Sequence, residues 1–150
     1  MELTVRELKE EDLEKFQEFW KFQDEEANRF YVHFLVQDPK ERARLFLNES
    51  SDKIIVLKDN SIIGWGHLTH HPDYPETPSL GIIIKPEFRN QGIGHLIMKR
   101  LIQLGKEKKY KGLYLTASKY NLRAIHLYLE FGFKLIEERT DGVVVMRYEY

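Results

Sequence analysis

The stretch from Leu80 to Leu104 limits the fold more than any other part of the chain. It opens on Ile82, Ile83 and Ile84, a β-branched run that suits a buried strand, and Pro86 ends the run because it has no N–H to give a ladder. Past the loop Arg89-Asn90-Gln91-Gly92-Ile93-Gly94, apolar residues return as Ile93, Leu96, Ile97, Leu101 and Leu104, the three- and four-residue spacing of a helix with one apolar face. The chain therefore runs strand, glycine-containing loop, helix. The first turn of a helix has backbone N–H groups without intrahelical partners. With no Cβ at Gly92 and Gly94, an anion can approach them closely, and the helix dipole favours its charge. Phosphate or pyrophosphate is the natural guest, although a tight turn without a ligand satisfies the spacing equally well. Two familiar phosphate loops are excluded. The third glycine of the dinucleotide fingerprint would fall at Ile97, and no Gly-Lys-Ser/Thr follows for a Walker loop.

A chain of 150 residues fits one domain, 1–150, large enough to bury a core without staples. Its 42% hydrophobic and 31% charged content is that of a soluble globular protein, and no apolar run approaches the roughly 18 residues that span a bilayer. The charged first twenty residues lack the apolar core of a signal peptide, so the expected compartment is the cytoplasm and no membrane partner is expected. Lys and Arg number 23 against 24 Asp and Glu, a balance that does not advertise a nucleic-acid groove. The absence of cysteine excludes disulfides, thiolate metal sites and a covalent acyl-cysteine step.

In chain order, Leu3 to Leu8 alternates as a first strand, and Glu10-Glu11-Asp12 suits the positive end of a helix carrying Leu13, Phe16, Phe19 and Trp20. Glu25 to Gln37 reads as a second helix, stopped by Asp38-Pro39, with a short helix from Lys40 to Leu47 after it. Lys53 to Leu57 and Ile62 to Leu68 read as strands joined by a turn at Lys58-Asp59-Asn60-Ser61. Gly64 and Gly66 flank Trp65, most simply to leave it packing room. His70 to Pro78 reads as a proline-rich connection, and no histidine pair in it has metal-ligand spacing. Gly112 to Ser118 alternates as a strand, and Lys134 to Arg139 and Val143 to Tyr148 form a hairpin about Thr140-Asp141-Gly142.

Between those strands lies Asn121-Leu-Arg-Ala124-Ile125-His-Leu127-Tyr128, a helix that Asn121 can cap and Gly132 can close, with Asn121 and Tyr128 about two turns apart on one face. Arg89-x-x-Gly92-x-Gly94, after a strand ending in Lys-Pro-Glu-Phe, is similar to the coenzyme A pyrophosphate loop of the GNAT-type N-acetyltransferases. Asn-x-x-Ala-Ile-x-Leu-Tyr-x-x-x-Gly-Phe is similar, residue for residue, to the second signature of that superfamily. The resemblance is specific over Leu80 to Phe133 and architectural elsewhere.

This resemblance implies an α/β fold: a mixed, strongly twisted sheet of about six to seven strands, helices on both faces, and a V-shaped splay at the central strand. It implies direct acetyl transfer from acetyl-coenzyme A to a primary amine, such as a protein N-terminus, lysine, polyamine or small metabolite. It also makes homodimerisation an open expectation. Ile82, Ile83 and Ile84 would offer backbone groups to the pantetheine arm, and Arg89, Asn90, Gln91, Gly92, Ile93, Gly94 and His95 would receive the pyrophosphate. Asn121 would bond the pantetheine amide, and Tyr128 would act as general acid toward the departing thiolate. Arg29, Tyr31 and His33 fall in the region that lines the acceptor side. The base does not transfer, because relatives carry a glutamate at the position of Ser79 or Thr116 and this chain has neither. His67, His70, His71 and Glu76 are the nearby candidates, with a water chain as substitute. A coenzyme A-binding sensor or scaffold without turnover is the alternative; the missing glutamates favour it, and Asn121 and Tyr128 oppose it.

Overall fold

The computed structural model describes residues 2–21 and 38–150. The expected helix at Glu25 to Gln37, with Arg29, Tyr31 and His33, lies outside the described residues. Seven strands build one sheet: β1 Thr4–Glu7, β2 Ser51–Lys58, β3 Ser61–His71, β4 Tyr74–Ile84, β5 Gly112–Ser118, β6 Lys134–Glu138 and β7 Val143–Glu149. Their spatial order is β1-β2-β3-β4-β5-β7-β6. The described α-helices are α1 Leu13–Phe19, α2 Pro39–Asn48, α3 Ile93–Glu107 and α4 Leu122–Glu130. None of them is long and apolar enough to cross a membrane.

All neighbouring strands are antiparallel except β4 and β5, which run parallel with α3 between them in sequence. That parallel pair touches at one register position, Ser79 opposite Tyr114. Beyond it the strands part, because β4 continues to Ile84 with β3 as its partner while β5 turns to β7. The mixed sheet, the splay and the helices on both faces agree with the expected architecture.

Alternation along the strands divides the interior in two. One core gathers Ile54, Val56, Leu68, Leu80, Ile82, Leu113, Leu115 and Met146 beneath Ile93, Ile97, Met98 and Leu101 of α3, and Tyr128 of α4 joins it. The other packs Phe16, Phe19 and Trp20 on Ile55, Trp65 and Ile83. The apolar stripe from Ile93 to Leu104 thus has its cause in the sheet. A Cβ at Gly66 would come within 2.5 Å of Ile97 Cγ2 and 2.9 Å of Leu101 Cδ1, so the helix can lie this close only over glycine. This corrects the reading of Gly64 and Gly66 as room for Trp65, whose ring points to the opposite face and meets Phe16 edge-on at 5.1 Å.

A second correction concerns His70 to Pro78. β3 runs on to His71 and β4 begins at Tyr74, so the proline-rich stretch is a long hairpin with an irregular register between Thr69 and His71. Pro75 and Pro78 fall between the Tyr74–His71 and Ser79–Thr69 pairs, in the irregular part of the ladder, where a missing N–H costs no regular ladder bond. The turn at Lys58 to Ser61 forms as expected, with Asp59 and Asn60 both at positive φ (50° and 65°).

The acidic run before α1 does more than face a helix dipole. Asp12 is buried and accepts from Arg6 Nη1 at 2.8 Å, Arg6 Nη2 at 2.7 Å and the Lys9 N–H at 2.9 Å. The Arg6 hydrogen bonds hold its carboxyl below the ordinary aspartate range against the opposing effect of burial. A depressed folded-state pKa contributes stability above the unfolded value and loses it as pH falls through the folded one. Asp12→Ala is therefore expected to cost about 2–3 kcal/mol near neutrality. The urea midpoints of variant and wild type should converge as pH drops below the aspartate range.

Candidate active site

The loop after β4 is shaped by three conformations in a row. Pro86–Phe88 makes one 3-10 turn, Asn90 takes a positive φ of 61°, and Gly92 takes 81° as it enters α3. A Cβ at Gly92 would meet nothing within 4 Å, so glycine is required there by backbone angle rather than by crowding. The first helical bond of α3 is Leu96 N–H to Gly92 O at 3.1 Å, which leaves the N–H groups of Ile93, Gly94 and His95 ahead of the ladder. Gln91 turns away and donates to Glu87 O at 3.0 Å, which braces the loop.

These groups open onto a cavity of about 390 Å³. Ile82 and Ile84 form its strand wall, Arg89, Asn90, Gly92, Gly94 and His95 its rim, and Asn121, Arg123, Ala124, His126, Leu127 and Tyr128 of the α4 region the far side. The splay brings the two motifs together: the parting of β4 and β5 leaves α3 and α4 side by side, and a Cβ at Gly94 would sit 3.2 Å from Leu127 Cδ2. Asn121 caps α4, its Oδ1 accepting from Ala124 N–H at 3.3 Å, while Gly132, at φ 98°, closes the helix. Tyr128 is buried against Phe133, with ring centroids 5.9 Å apart. Three expected cofactor residues have side chains elsewhere. Ile83 lies in the opposite core, Ile93 is buried under α3, and Gln91 is in the brace just described.

Arg123 and His126 line the cavity and were not singled out in the sequence. They occupy variable positions inside the second motif, so only the helical phase of Asn121 and Tyr128 pointed to them. A carboxylate only accepts, so His95 and His126 each donate a ring N–H to Glu130, both at 2.7 Å. The His95 bond is the main reason the Glu130 pKa falls below its ordinary value. Glu130 thus ties α3 to α4 across the mouth of the cavity.

The base candidates scatter. His67 faces the other side of the sheet, stacked on Trp65 at 4.7 Å, with Nδ1 2.6 Å from the Thr69 hydroxyl. Burial, helped by Lys53, pushes its pKa down to about 4. His70 Nε2 is 3.2 Å from both Asp52 Oδ2 and Tyr110 Oη, in a cluster that Lys108 joins at the end of α3. Burial opposes the charge of Asp52, but Lys108 and Tyr110 bonds outweigh it and lower its pKa. Glu76 is exposed and paired with Lys111 at 2.9 Å, and His71 lies 3.8 Å from Asp73 at the hairpin tip. None of the four lines the cavity, and among the described residues no metal-ligand cluster forms.

Comparison with known proteins bears on the fold and the family. Thialysine N-epsilon-acetyltransferase from Bos taurus is 35% identical over 68 residues, covering 45% of this chain and 39% of that protein. The GNAT-family acetyltransferase of Streptococcus pneumoniae superposes with a TM-score of 0.79 at 21% identity over 99% of both chains. The GNAT domain of S. lividans PAT gives 0.83 at 12% identity, over 97% of this chain and 89% of that one. At these identities the two structures speak for the fold. The family model described as acetyltransferase (GNAT) family matches residues 5–133, and the chain belongs to that family.

Proposed function

We propose that the cavity between β4, α3 and α4 binds acetyl-coenzyme A and that the protein transfers the acetyl group directly to a primary amine. The observation that carries this is the convergence of unladdered N–H groups, two arginines and a buried phenol on one apolar-walled cavity. The fit is chemical as well as spatial. The first turn of α3, with Arg89 and Arg123 beside it, suits a diphosphate. Ile82, Ile84 and Leu127 suit a slender, largely apolar arm. The Oδ1 of Asn121 is taken by its helix, so its amide NH₂ is the group left to meet an amide carbonyl.

When bound, the thioester supplies an activated acetyl group. The residues hold it beside the parted strands, where an amine arriving at a fixed distance escapes much of the entropic barrier. Tyr128 gives a proton where the thiolate leaves. No cysteine is present to carry acetyl covalently, which favours transfer within a ternary complex.

The test is thiol release from acetyl-coenzyme A across a panel of primary amines, paired with calorimetric titration. The bovine relative places lysine- and thialysine-type side-chain amines first in the panel. Release above the amine-free rate is expected with at least one class, and coenzyme A should bind more tightly than free nucleotides. Binding without release across the panel would mark a sensor or scaffold, and preference for free nucleotides would overturn the cavity assignment.

A further inference from the structure

On the face of the sheet away from the proposed coenzyme cavity lies a carboxylate with only part of its hydrogen-bonding capacity met. Glu49 follows α2 and precedes β2, and one of its oxygens is buried with no hydrogen-bond partner among the described residues. Leaving such a group unmet is costly, and native sites that keep one commonly use it. That oxygen is 4.0 Å from His67 Nδ1, and His67 in turn bonds Thr69.

The register shows where this cluster sits. Thr69 pairs with Ser79, and Ser79 pairs with Tyr114 at the single contact between β4 and β5. Thr69, Ser79 and Tyr114 therefore form a row across three strands at the foot of the splay. His67, one alternation along, covers Gly81, where any side chain would collide with the imidazole. Glu49 flanks the start of that row. On its outer side it lines a hollow of about 550 Å³ with Glu41, Arg44, Leu45, Phe46 and Asn48, open to solvent. Glu49 is thus shared between this hollow and the His67–Thr69 end of the row.

We propose that Glu49 is the general base of the transfer, receiving the proton of the incoming ammonium where the hollow meets the Thr69–Ser79–Tyr114 row. This rests on acetyl transfer being the activity of the cleft. Of the two protons the nitrogen loses, one passes through Glu49 to solvent, directly or by one water. The other leaves as the C–N bond forms and the C–S bond breaks, and restores the phenol of Tyr128 after that phenol has protonated the thiolate.

Among the candidates, Glu49 has the better chemistry. Burial raises its pKa above the ordinary glutamate value, against the pull of Lys53 and Thr69, whereas His67 is held neutral and weakly basic. The charged and titratable groups around Glu49 are Lys53 on β2, whose Nζ donates to Glu49 O at 2.6 Å, His67 on β3, and Glu41 and Arg44 on α2. The glutamate missing at Ser79 is thereby supplied from outside the strand.

The test is the pH profile of thiol release in wild type, Glu49→Gln, Glu49→Asp and, as control, Glu137→Gln, an exposed change on the edge strand β6. Glu49→Gln should lower kcat at neutral pH by about 100-fold with KM for acetyl-coenzyme A within about twofold. The deficit should shrink as pH rises toward the pKa of the amine. The acid limb of the wild-type profile, above the usual glutamate range, should vanish in E49Q and reappear in E49D with part of the rate. Glu137→Gln should match wild type. A wild-type enzyme that turns over while E49Q keeps its rate and acid limb removes Glu49 alone. A wild type that binds coenzyme A yet releases no thiol with any amine overturns the transfer and Glu49 with it. A pH-independent loss in E49Q with E49D no better assigns Glu49 to structure.

Discussion

Tyr128→Phe is expected to lower kcat by about a hundredfold or more and leave acetyl-coenzyme A binding within about twofold. The change removes one oxygen and keeps the ring, which is buried and packed on Phe133 in the core shared with α3. The fold therefore has little reason to respond, and circular dichroism and thermal unfolding of the variant should match wild type within about 1 kcal/mol. Catalysis does have reason. In the proposed mechanism the phenol on the cavity wall donates its proton when the C–S bond breaks and not before. The loss should appear in kcat and kcat/KM alike, the pattern of a contact made in the transition state. Leaving groups more acidic than coenzyme A should suffer less. Unchanged turnover in Tyr128→Phe would remove the phenol from the mechanism, and a loss confined to KM would make it a binding contact.

The parts of this fold that could be read from the chain are those whose signal is local. Ile82 to Ile84, the glycines at 92 and 94 and the stripe from Ile93 to Leu104 specify strand, turn and helix within a few residues of one another, and the observed α3 begins at Ile93. Asn121 and Gly132 likewise announce the ends of α4 by capping chemistry that acts over three or four residues. What was misread depends on neighbours distant in sequence. The prolines at 75 and 78 argue for a loop until it is known that they fall in the irregular part of the β3–β4 ladder. Gly64 and Gly66 look like space for Trp65 until α3 is seen lying over them, some thirty residues later in the chain, with Ile97 and Leu101 in the gap. Glu49 was overlooked for the same reason. Nothing in Asn48-Glu49-Ser50 marks a reactive carboxylate, and its interest arises from His67 and Thr69 on β3, distant in sequence but adjacent in the sheet.

Trp65→Ala should produce the largest loss of stability of any single truncation argued here, about 3–5 kcal/mol, read as a fall in the urea midpoint. The indole is fully buried in a cluster drawn from α1, α2 and the neighbouring strands. Phe16 meets it edge-on at 5.1 Å, Phe46 at 5.1 Å, Trp20 at 5.9 Å, and His67 stacks on it at 4.7 Å. Edge-on aromatic geometry adds roughly 0.5–1.5 kcal/mol per pair beyond buried area, so truncation removes both terms at once. Against a domain stability of about 5–15 kcal/mol, this is about a fifth of the total or more. The damage should stay on one face of the sheet. Ile82, Ile84, α3 and α4 build the cavity proposed for coenzyme A from the opposite core, which Trp65 does not touch. At a temperature where the variant remains folded, coenzyme A affinity should therefore hold within about twofold, while turnover falls because His67 and its neighbour Glu49 lose the wall that positions them. Equal loss of coenzyme binding and turnover in folded Trp65→Ala would show instead that the two faces act as one unit.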